Sequence, residues 1–524
     1  MQEAKHSEQS PQLVAGVDSS TQSTKILIVD ARTGATVREG RAAHPTGTEV
    51  DPQAWLTAFR EAAARAGGLA DISGLSVAGQ QHGMVLLDAA GEVIRPAQLW
   101  NDTKSAAAAR ALTAELGAEF WAQAVGSVPV ASLTVTKLRW IADNEPENAA
   151  RIAAICLPHD WLTWKLRGTA DIRALTTDRS DASGTGYMDC ETNEYRYDIL
   201  AHALRITEAQ ARQLVLPRIA APYESVGRVH PQFLEETGEA TASGTEAAEV
   251  TEAAASGTEP NLPGTAQPKT SVPVLLGPGA GDNAGAALGL NLRPGQASIS
   301  IGTSGVVAAI AEHPVRDAHS GVTGFADANG AWLPLACTLN GALIQDYFCE
   351  LLGVSFERLG ELAAQAAPGA GGVTLVPYFA GERTPNLPRA TASLHGLTPG
   401  STTPHNFARA AYEGLACLLR GALEALRDGG LRIERAMLIG GATRSAVLAQ
   451  IMADVLQIPL YIPRPGEYVA RGAARQAALV CGFDVSAPGW EPEITETITP
   501  GPANPAWPRY QKLAAAIAHA QAED

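Results

Sequence analysis

The sequence predicts an α/β protein in which one structural unit occurs twice. Three observations predict it. Apolar runs of strand length alternate with helical stretches, the patterning of α/β folds. A strand, a hydroxyl-rich turn and a second strand open the chain, and the same arrangement returns near its middle. The 524 residues favour two or more domains over one, and 46% hydrophobic residues supply a sizeable core.

The elements follow in chain order. Residues 1–11 are polar and read as a disordered tail without the apolar stretch of a secretory signal. The apolar run 13–17 breaks into Asp18-Ser19-Ser20-Thr21-Gln22-Ser23-Thr24-Lys25 and resumes at 26–29, which is strand, turn, strand. A strand at 75–78 empties into Gly79-Gln80-Gln81-His82-Gly83. Residues 237–270 are rich in Ala, Thr, Glu, Gly, Ser and Pro and cannot bury enough surface to order themselves, so they read as a flexible surface insertion whose deletion is expected to leave activity intact. The strand 272–276 runs into Gly277-Pro-Gly279-Ala-Gly-Asp282-Asn283 and a small-residue helix over 283–290. The second hairpin is 297–301, the turn Gly302-Thr303-Ser304-Gly305, then 306–310. A helix over 404–427 has Thr403 as N-cap, Pro404 at its first position, an apolar stripe including Phe407, Ala411, Leu415, Leu418, Ala422 and Leu426, and Gly429 beyond its end. The strand 436–439 leads through Gly440-Gly441-Ala-Thr-Arg-Ser445 to a helix reaching 456.

Composition narrows the function. A formal charge of −16 repels a phosphate backbone, and no basic stripe offsets it, so a nucleic-acid partner is not expected. No apolar run reaches the length of a membrane span, so no membrane partner is expected either. Six cysteines are scattered without a C-x-x-C pair or zinc spacing, which fits a reducing cytoplasm and argues against a disulfide framework or structural metal. The balance is compatible with a monomer or a homodimer.

Three clusters carry chemistry. Asp282 stands alone among small residues, where a substrate can approach closely and a carboxylate can accept a proton; the structural alternative is an N-cap opening the helix. Asp18 and the hydroxyls after it can hold Mg²⁺ through water and donate to phosphate oxygens, against an ordinary hairpin turn. Gln80, Gln81 and His82, with Trp100-Asn101-Asp102 downstream, offer amides, an imidazole, an indole and a carboxylate suited to a polyol, against a merely structural histidine. Two alternatives fail: no G-x-x-x-x-G-K-[ST] occurs, and Asp282 stands where the third glycine of a dinucleotide fingerprint falls.

From about residue 13 to 483 these residues resemble the FGGY family of carbohydrate kinases. Ser132-Leu-Thr-Val-Thr-Lys137-Leu-Arg-Trp140-Ile-Ala-Asp-Asn144 resembles the family's first signature, and Ala392-Ser-Leu-His-Gly396 through Asn406-Phe407 to Glu413 its second. Gly79-Gln-Gln-His-Gly83, Trp100-Asn-Asp102, Gly281-Asp-Asn283 and Gly381-Glu-Arg-Thr-Pro385 are most similar to its xylulose-phosphorylating branch. The resemblance implies two ribonuclease-H-like domains, as in actin, hexokinase and Hsp70-type ATPases, around a central cleft. It divides the chain into a sugar-binding half at 12–291, a nucleotide-binding half at 292–484 and a C-terminal extension at 485–524. The extension, with Trp490 and Trp507, reads as a domain-closing tail or an oligomer contact.

The implied reaction transfers the γ-phosphoryl of MgATP, a co-substrate, to O5 of D-xylulose. Asp282 matches the catalytic base, Asp18 the acidic residue near Mg²⁺ and the phosphates, and Gln81, His82, Asn101, Asp102 and Asn283 the sugar pocket. For ATP the resemblance points to Thr21, Gln22, Ser23, Lys25, Gly302, Thr303, Gly341, Gln345, Gly441 and Ser445. Ser19-Ser20 departs from the pattern, since many members carry a glycine there. The competing expectations are a kinase for another ketose or polyol, such as ribulose, fuculose or a four-carbon polyol, and a non-catalytic nucleotide-binding protein of the actin fold.

Overall fold

In a computed structural model, residues 12–234 and 273–523 are described; the expected tail at 1–11 and the low-complexity segment at 237–270 lie outside them. Two seven-stranded sheets carry the fold, and the two repeat one plan. In the first, Leu13–Ser19 pairs antiparallel with Ser23–Asp30, which pairs antiparallel with Thr36–Ala43. On its other side Leu13–Ser19 pairs parallel with Ile72–Gly79, followed by Leu275–Leu276 and the antiparallel edge Gly227–Arg228. In the second sheet Gln296–Ile301 takes the central place, with Gly305–Ala309 and Trp332–Thr338 antiparallel on one side. Arg435–Gly440 and Leu460–Pro463 run parallel on the other, closed by the antiparallel edge Ile494–Ile498. The duplicated hairpins therefore head duplicated sheets of the ribonuclease-H-like order.

Buried strands explain the apolar runs. All seven residues of Leu13–Ser19 are buried, as expected of a central strand covered on both faces. One face is covered by Gln53–Arg65 and the other by Tyr468–Val480, a helix from the far end of the chain. That helix also crosses Asp282–Gly289 at backbone contact: a Cβ on Gly472 would lie 1.9 Å from the Gly285 carbonyl oxygen. The small residues read after Asp282 thus serve a helix crossing, which fixes where the carboxylate stands.

The helix expected at 404–427 spans Pro404–Asp428, and Thr403 Oγ1 accepts from the Asn406 N–H at 3.2 Å, satisfying one unpaired N–H of the first turn. Glu413, from the second signature, is structural: its carboxylate is buried and accepts from Arg409 Nε (2.8 Å), Gly369 N (2.8 Å) and Asn504 Nδ2 (2.9 Å).

The C-terminal extension is bonded to both sheets. Trp490 is 1% exposed, packs with Val14, Leu27 and Val29 of the first sheet, and its indole N–H donates to the carbonyl of Ala31, just beyond the strand Ser23–Asp30, at 2.9 Å. Ile494–Ile498 then joins the second sheet, and Tyr510 of the helix Ala506–Glu523 packs into that sheet's core. Of the strand expected at 272–276, residue 272 lies outside the described residues and Leu275–Leu276 form the parallel ladder, because Pro273 has no N–H to give it; Val274 O and Gly277 N still bond to Val229 N and Leu75 O, and Ala280–Gly281 rejoin the same sheet. No helix of the described residues is long and apolar enough to cross a membrane, and the six cysteines are unpaired thiols.

Candidate active site

The ends of the central strands meet in a cleft containing two joined cavities. The smaller, about 200 Å³, is lined by Gln81, His82, Trp100 and Ser132 from the first half and by Phe325, Leu335, Cys337 and Arg383 from the second. The larger, about 600 Å³, takes Asp18, Ser20 and Lys25 from the first turn, and Ser298, Ser300, Gly441, Arg444 and Glu467 from the second half. Asp282, Asn283 and Val306 line both. A polar group at that junction can touch a molecule in either cavity.

Asp282 is the first residue of its helix, with Gly281 at the N-cap position, so it does not cap. Its Oδ1 accepts from the Asn283 N–H at 2.8 Å and from Asn283 Nδ2 at 3.0 Å. Burial, followed by the charges of Asp18 and Asp181, pushes its carboxyl up to about 7, against two stabilising hydrogen bonds from Asn283. A carboxyl tuned to that range takes and returns protons near neutral pH.

Asp18, next to last in the strand Leu13–Ser19, is 2% exposed, and the Ser20 hydroxyl donates to its Oδ1. Lys25 Nζ lies 3.4 Å from Asp18 Oδ2 and 2.6 Å from Glu467 Oε2, bridging the two carboxylates. Burial raises the Asp18 carboxyl despite Lys25. The other residues of the first turn face elsewhere. Thr21 Oγ1 accepts from the Trp100 indole at 2.8 Å, Gln22 is exposed, and Ser23 is buried in its strand.

His82 holds a left-handed backbone (φ 65°), an uncommon conformation for a side-chain-bearing residue and one that marks local constraint. Its carbonyl accepts from Thr134 Oγ1 (3.2 Å) and from the buried Lys137 Nζ (3.2 Å). Its Nδ1 lies 2.8 Å from the Gly184 carbonyl, which assigns the hydrogen to Nδ1 and leaves Nε2 as an acceptor. Burial, aided by the Lys137 and Arg383 charges, pushes the imidazole down to about 3, so it is neutral. Gln81 Oε1 accepts from Asn283 Nδ2 at 2.9 Å, tying the sugar-side loop to the catalytic helix.

Asn101 and Asp102 stand next to Trp100 but do not line the smaller cavity. Asp102 is 2% exposed and already accepts from Thr48 Oγ1 (2.9 Å) and Lys104 N (2.8 Å). Of the nucleotide-side expectations, Lys25 and Gly441 face the larger cavity. Gly302 and Thr303 form the exposed second turn. Gly341 packs beneath that turn, where a Cβ would meet Gly302 O at 2.6 Å, and Ala342 N donates to Gly302 O at 2.8 Å. Gln345 is buried in the following helix, and Ser445 Oγ caps the helix Ala446–Leu456 by accepting from Leu448 N at 3.2 Å.

Sequence reasoning missed several lining residues. Ser298 and Ser300 had a signal, since alternation along Gln296–Ile301 turns them to one face. Glu467 had none. Beneath the site lies a buried cluster: His159 Nδ1 is 2.7 Å from Asp181 Oδ2 and its Nε2 3.2 Å from Asp160 Oδ1. Burial opposes the imidazolium, but Asp160, Asp181 and Asp178 outweigh it and push the ring up to about 10.

Residues 13–245 match the N-terminal domain, and residues 297–481 the C-terminal domain, of the FGGY family of carbohydrate kinases. The chain is 43% identical over 483 residues to the xylulose kinase of Streptomyces coelicolor, covering 91% of this chain and 89% of that protein. It is 30% identical to the xylulose kinase of Escherichia coli, covering 90% of each. The crystal structure of xylulose kinase from Bifidobacterium adolescentis aligns with a TM-score of 0.86 at 45% identity, covering 97% of this chain and all of that one. A glycerol kinase from Plasmodium falciparum with ADP shares the fold at 18% identity, with a TM-score of 0.77. With both domains matched in order and two hairpin-headed sheets enclosing one cleft, the chain belongs to the FGGY family of carbohydrate kinases.

Proposed function

We propose that the chain phosphorylates D-xylulose at O5 with the γ-phosphoryl of ATP, Asp282 being the general base. The observation that carries this is the position of Asp282 at the junction of the two cavities: one is sized and lined for a small polyol, the other is larger and open to the second hairpin's half. The xylulose kinases among its relatives support the choice of sugar.

Asp282 Oδ takes the proton from the attacking hydroxyl as that oxygen moves toward the phosphorus. Asn283 holds the carboxylate and Gln81 together, so the base and the sugar loop keep one geometry. His82 Nε2 accepts from a sugar hydroxyl, and Trp100 offers its flat face. Most of the acceleration then comes from positioning and electrostatics, as in phosphoryl transfer generally.

The larger cavity tests the expected metal. Asp18, Asp282 and Glu467 place carboxyl groups on the same wall as the cations Lys25 and Arg444, so a polyphosphate entering there meets acidic groups that a bound cation would screen. Mg²⁺ keeps several waters and takes phosphate oxygens, so one or two carboxylates suffice to hold it. Asp18, with Ser20 and Glu467 beside it, would hold it, and when bound it neutralises phosphate charge. Closure of 12–291 against 292–484 brings the two turns, 18–25 and 302–305, together and excludes water.

The test is ADP production by the purified protein with MgATP and D-xylulose, D-ribulose, L-ribulose, L-fuculose, glycerol or no sugar. D-xylulose is expected to give the highest kcat/KM. A different best sugar refutes the specificity, and no sugar-dependent turnover refutes the role of Asp282.

A further inference from the structure

The smaller cavity contains a cation that no described residue neutralises. Arg383 lines it beside His82 and Asp282, and its guanidinium makes no hydrogen bond or ion pair with any described residue. The loop that carries it is braced. Glu382, 1% exposed, accepts from Leu339 N (2.7 Å), Asn340 Nδ2 (2.9 Å) and Arg383 N (2.7 Å). Thr384 Oγ1 donates to the Cys337 carbonyl at 2.9 Å, fastening the loop to the second sheet. Phe325, Leu335 and Val306 make the neighbouring wall apolar. An unpaired guanidinium beside such a wall calls for a ligand with acceptor oxygens.

The chemistry of the substrate says which oxygens, given the ketose-kinase reading above. The ring form of a 2-ketopentose uses O5 as its ring oxygen. O5 is therefore free to be phosphorylated only in the open chain, which carries a carbonyl at C2. A carbonyl accepts and never donates, so it needs a donor, and a donor-only partner is the one that favours it over a hydroxyl. His82 Nε2 accepts and both hydrogens of the Asn283 amide are already donated, while Gln81 Nε2 and Ser132 Oγ, which also line the cavity, can donate but belong to groups that serve a hydroxyl equally well. Arg383 has five donors and no acceptor. It lines the sugar-side cavity and not the larger one, which separates it from the phosphate-binding side.

We propose that Arg383 is a specificity-determining residue that donates to the C2 carbonyl and an adjacent hydroxyl of the open-chain ketose, so that the enzyme distinguishes a ketose from the alditol formed by its reduction. The alditol keeps every other hydroxyl but replaces the carbonyl with a group that must also donate.

The experiment compares wild type, Arg383→Gln and Arg383→Lys in full-length protein. It reads kcat/KM for D-xylulose, the inhibition constant of xylitol against it, and KM for ATP. Arg383→Gln is expected to lower kcat/KM for D-xylulose by about 10–100-fold, chiefly through KM. Xylitol inhibition and KM for ATP are expected to stay within about twofold of wild type. Arg383→Lys restores the charge but not the fork and is expected to remain about several-fold impaired. Equal weakening of ketose and alditol, or a raised KM for ATP, overturns the proposal. Where Arg383→Gln does not fold, Arg383→Lys decides by the same ratios. Equilibrium binding of ketose and alditol, read by tryptophan fluorescence, gives the ratio without turnover. If wild type prefers another 2-ketose, that ketose and its own alditol replace the pair, and only the choice of D-xylulose fails.

Discussion

Replacing Asp282 by asparagine removes the proton acceptor while keeping size and polarity, and its consequences divide between rate and stability. General-base removal lowers rate by about 10²–10⁴-fold, so kcat is expected to fall in that range with KM for the sugar little changed. The pH profile sharpens the expectation. Burial, Asp18 and Asp181 push the Asp282 carboxyl up to about 7, so wild-type kcat/KM falls about tenfold for each pH unit below that point, whereas an ordinary carboxylate would stay ionised to about pH 4. The assay is direct measurement of sugar phosphate from pH 5.5 to 8.5. The stability sign runs the other way. A carboxyl whose folded pKa lies above its unfolded value disfavours folding as it ionises, from about pH 4 up to about pH 7, at roughly 1.4 kcal/mol per unit of difference. Asp282→Asn is therefore expected to melt higher than wild type at pH 8, with a smaller gap at pH 5. A wild-type profile flat from pH 5.5 to 8.5, or a variant that keeps wild-type kcat, refutes the reasoning.

Two further outcomes follow from contacts outside the cavities. Lys137→Met removes one of the two donors to the His82 carbonyl and the donor to the Ser132 carbonyl, so KM for the sugar is expected to rise about tenfold while KM for ATP holds; equal changes in both would refute a local role. Trp490→Ala removes a buried indole that bonds the first sheet, and is expected to destabilise the protein by about 3–5 kcal/mol in denaturant melts with KM for both substrates near wild type.

What the sequence made legible is what local chemistry decides. Strand ends that spill into hydroxyls or glycines, at Asp18, Gly302 and Asp282, were readable because turn composition is a short-range property. Thr403 and Pro404 announced the long helix for the same reason. What stayed hidden depends on residues distant in sequence. Nothing local places Tyr468–Val480 on the first sheet, since the crossing rests on Gly472 against Gly285, nearly two hundred positions apart. Nor does turn composition separate Thr21, spent on Trp100, from Lys25, which faces the cleft, because the two differ only in what the rest of the fold brings beside them.

The same distinction explains why Arg383 was visible as part of a motif and yet had no role. Its meaning comes from its surroundings, and that no described residue pairs with its guanidinium can be seen only once the second sheet has delivered the loop to the sugar-side wall. A donor-only guanidinium there and mixed donors and acceptors on the first half divide recognition between the two halves. A sugar bound to the first half alone meets His82, Gln81 and Asp282, groups that any polyol can satisfy. The second half contributes Arg383 to the same cavity, where the proposal above sets it against the carbonyl. Under the proposed closure, exclusion of water and the Arg383 contact belong to one enclosed cavity, and a ligand lacking the carbonyl binds there more weakly because it forfeits that contact.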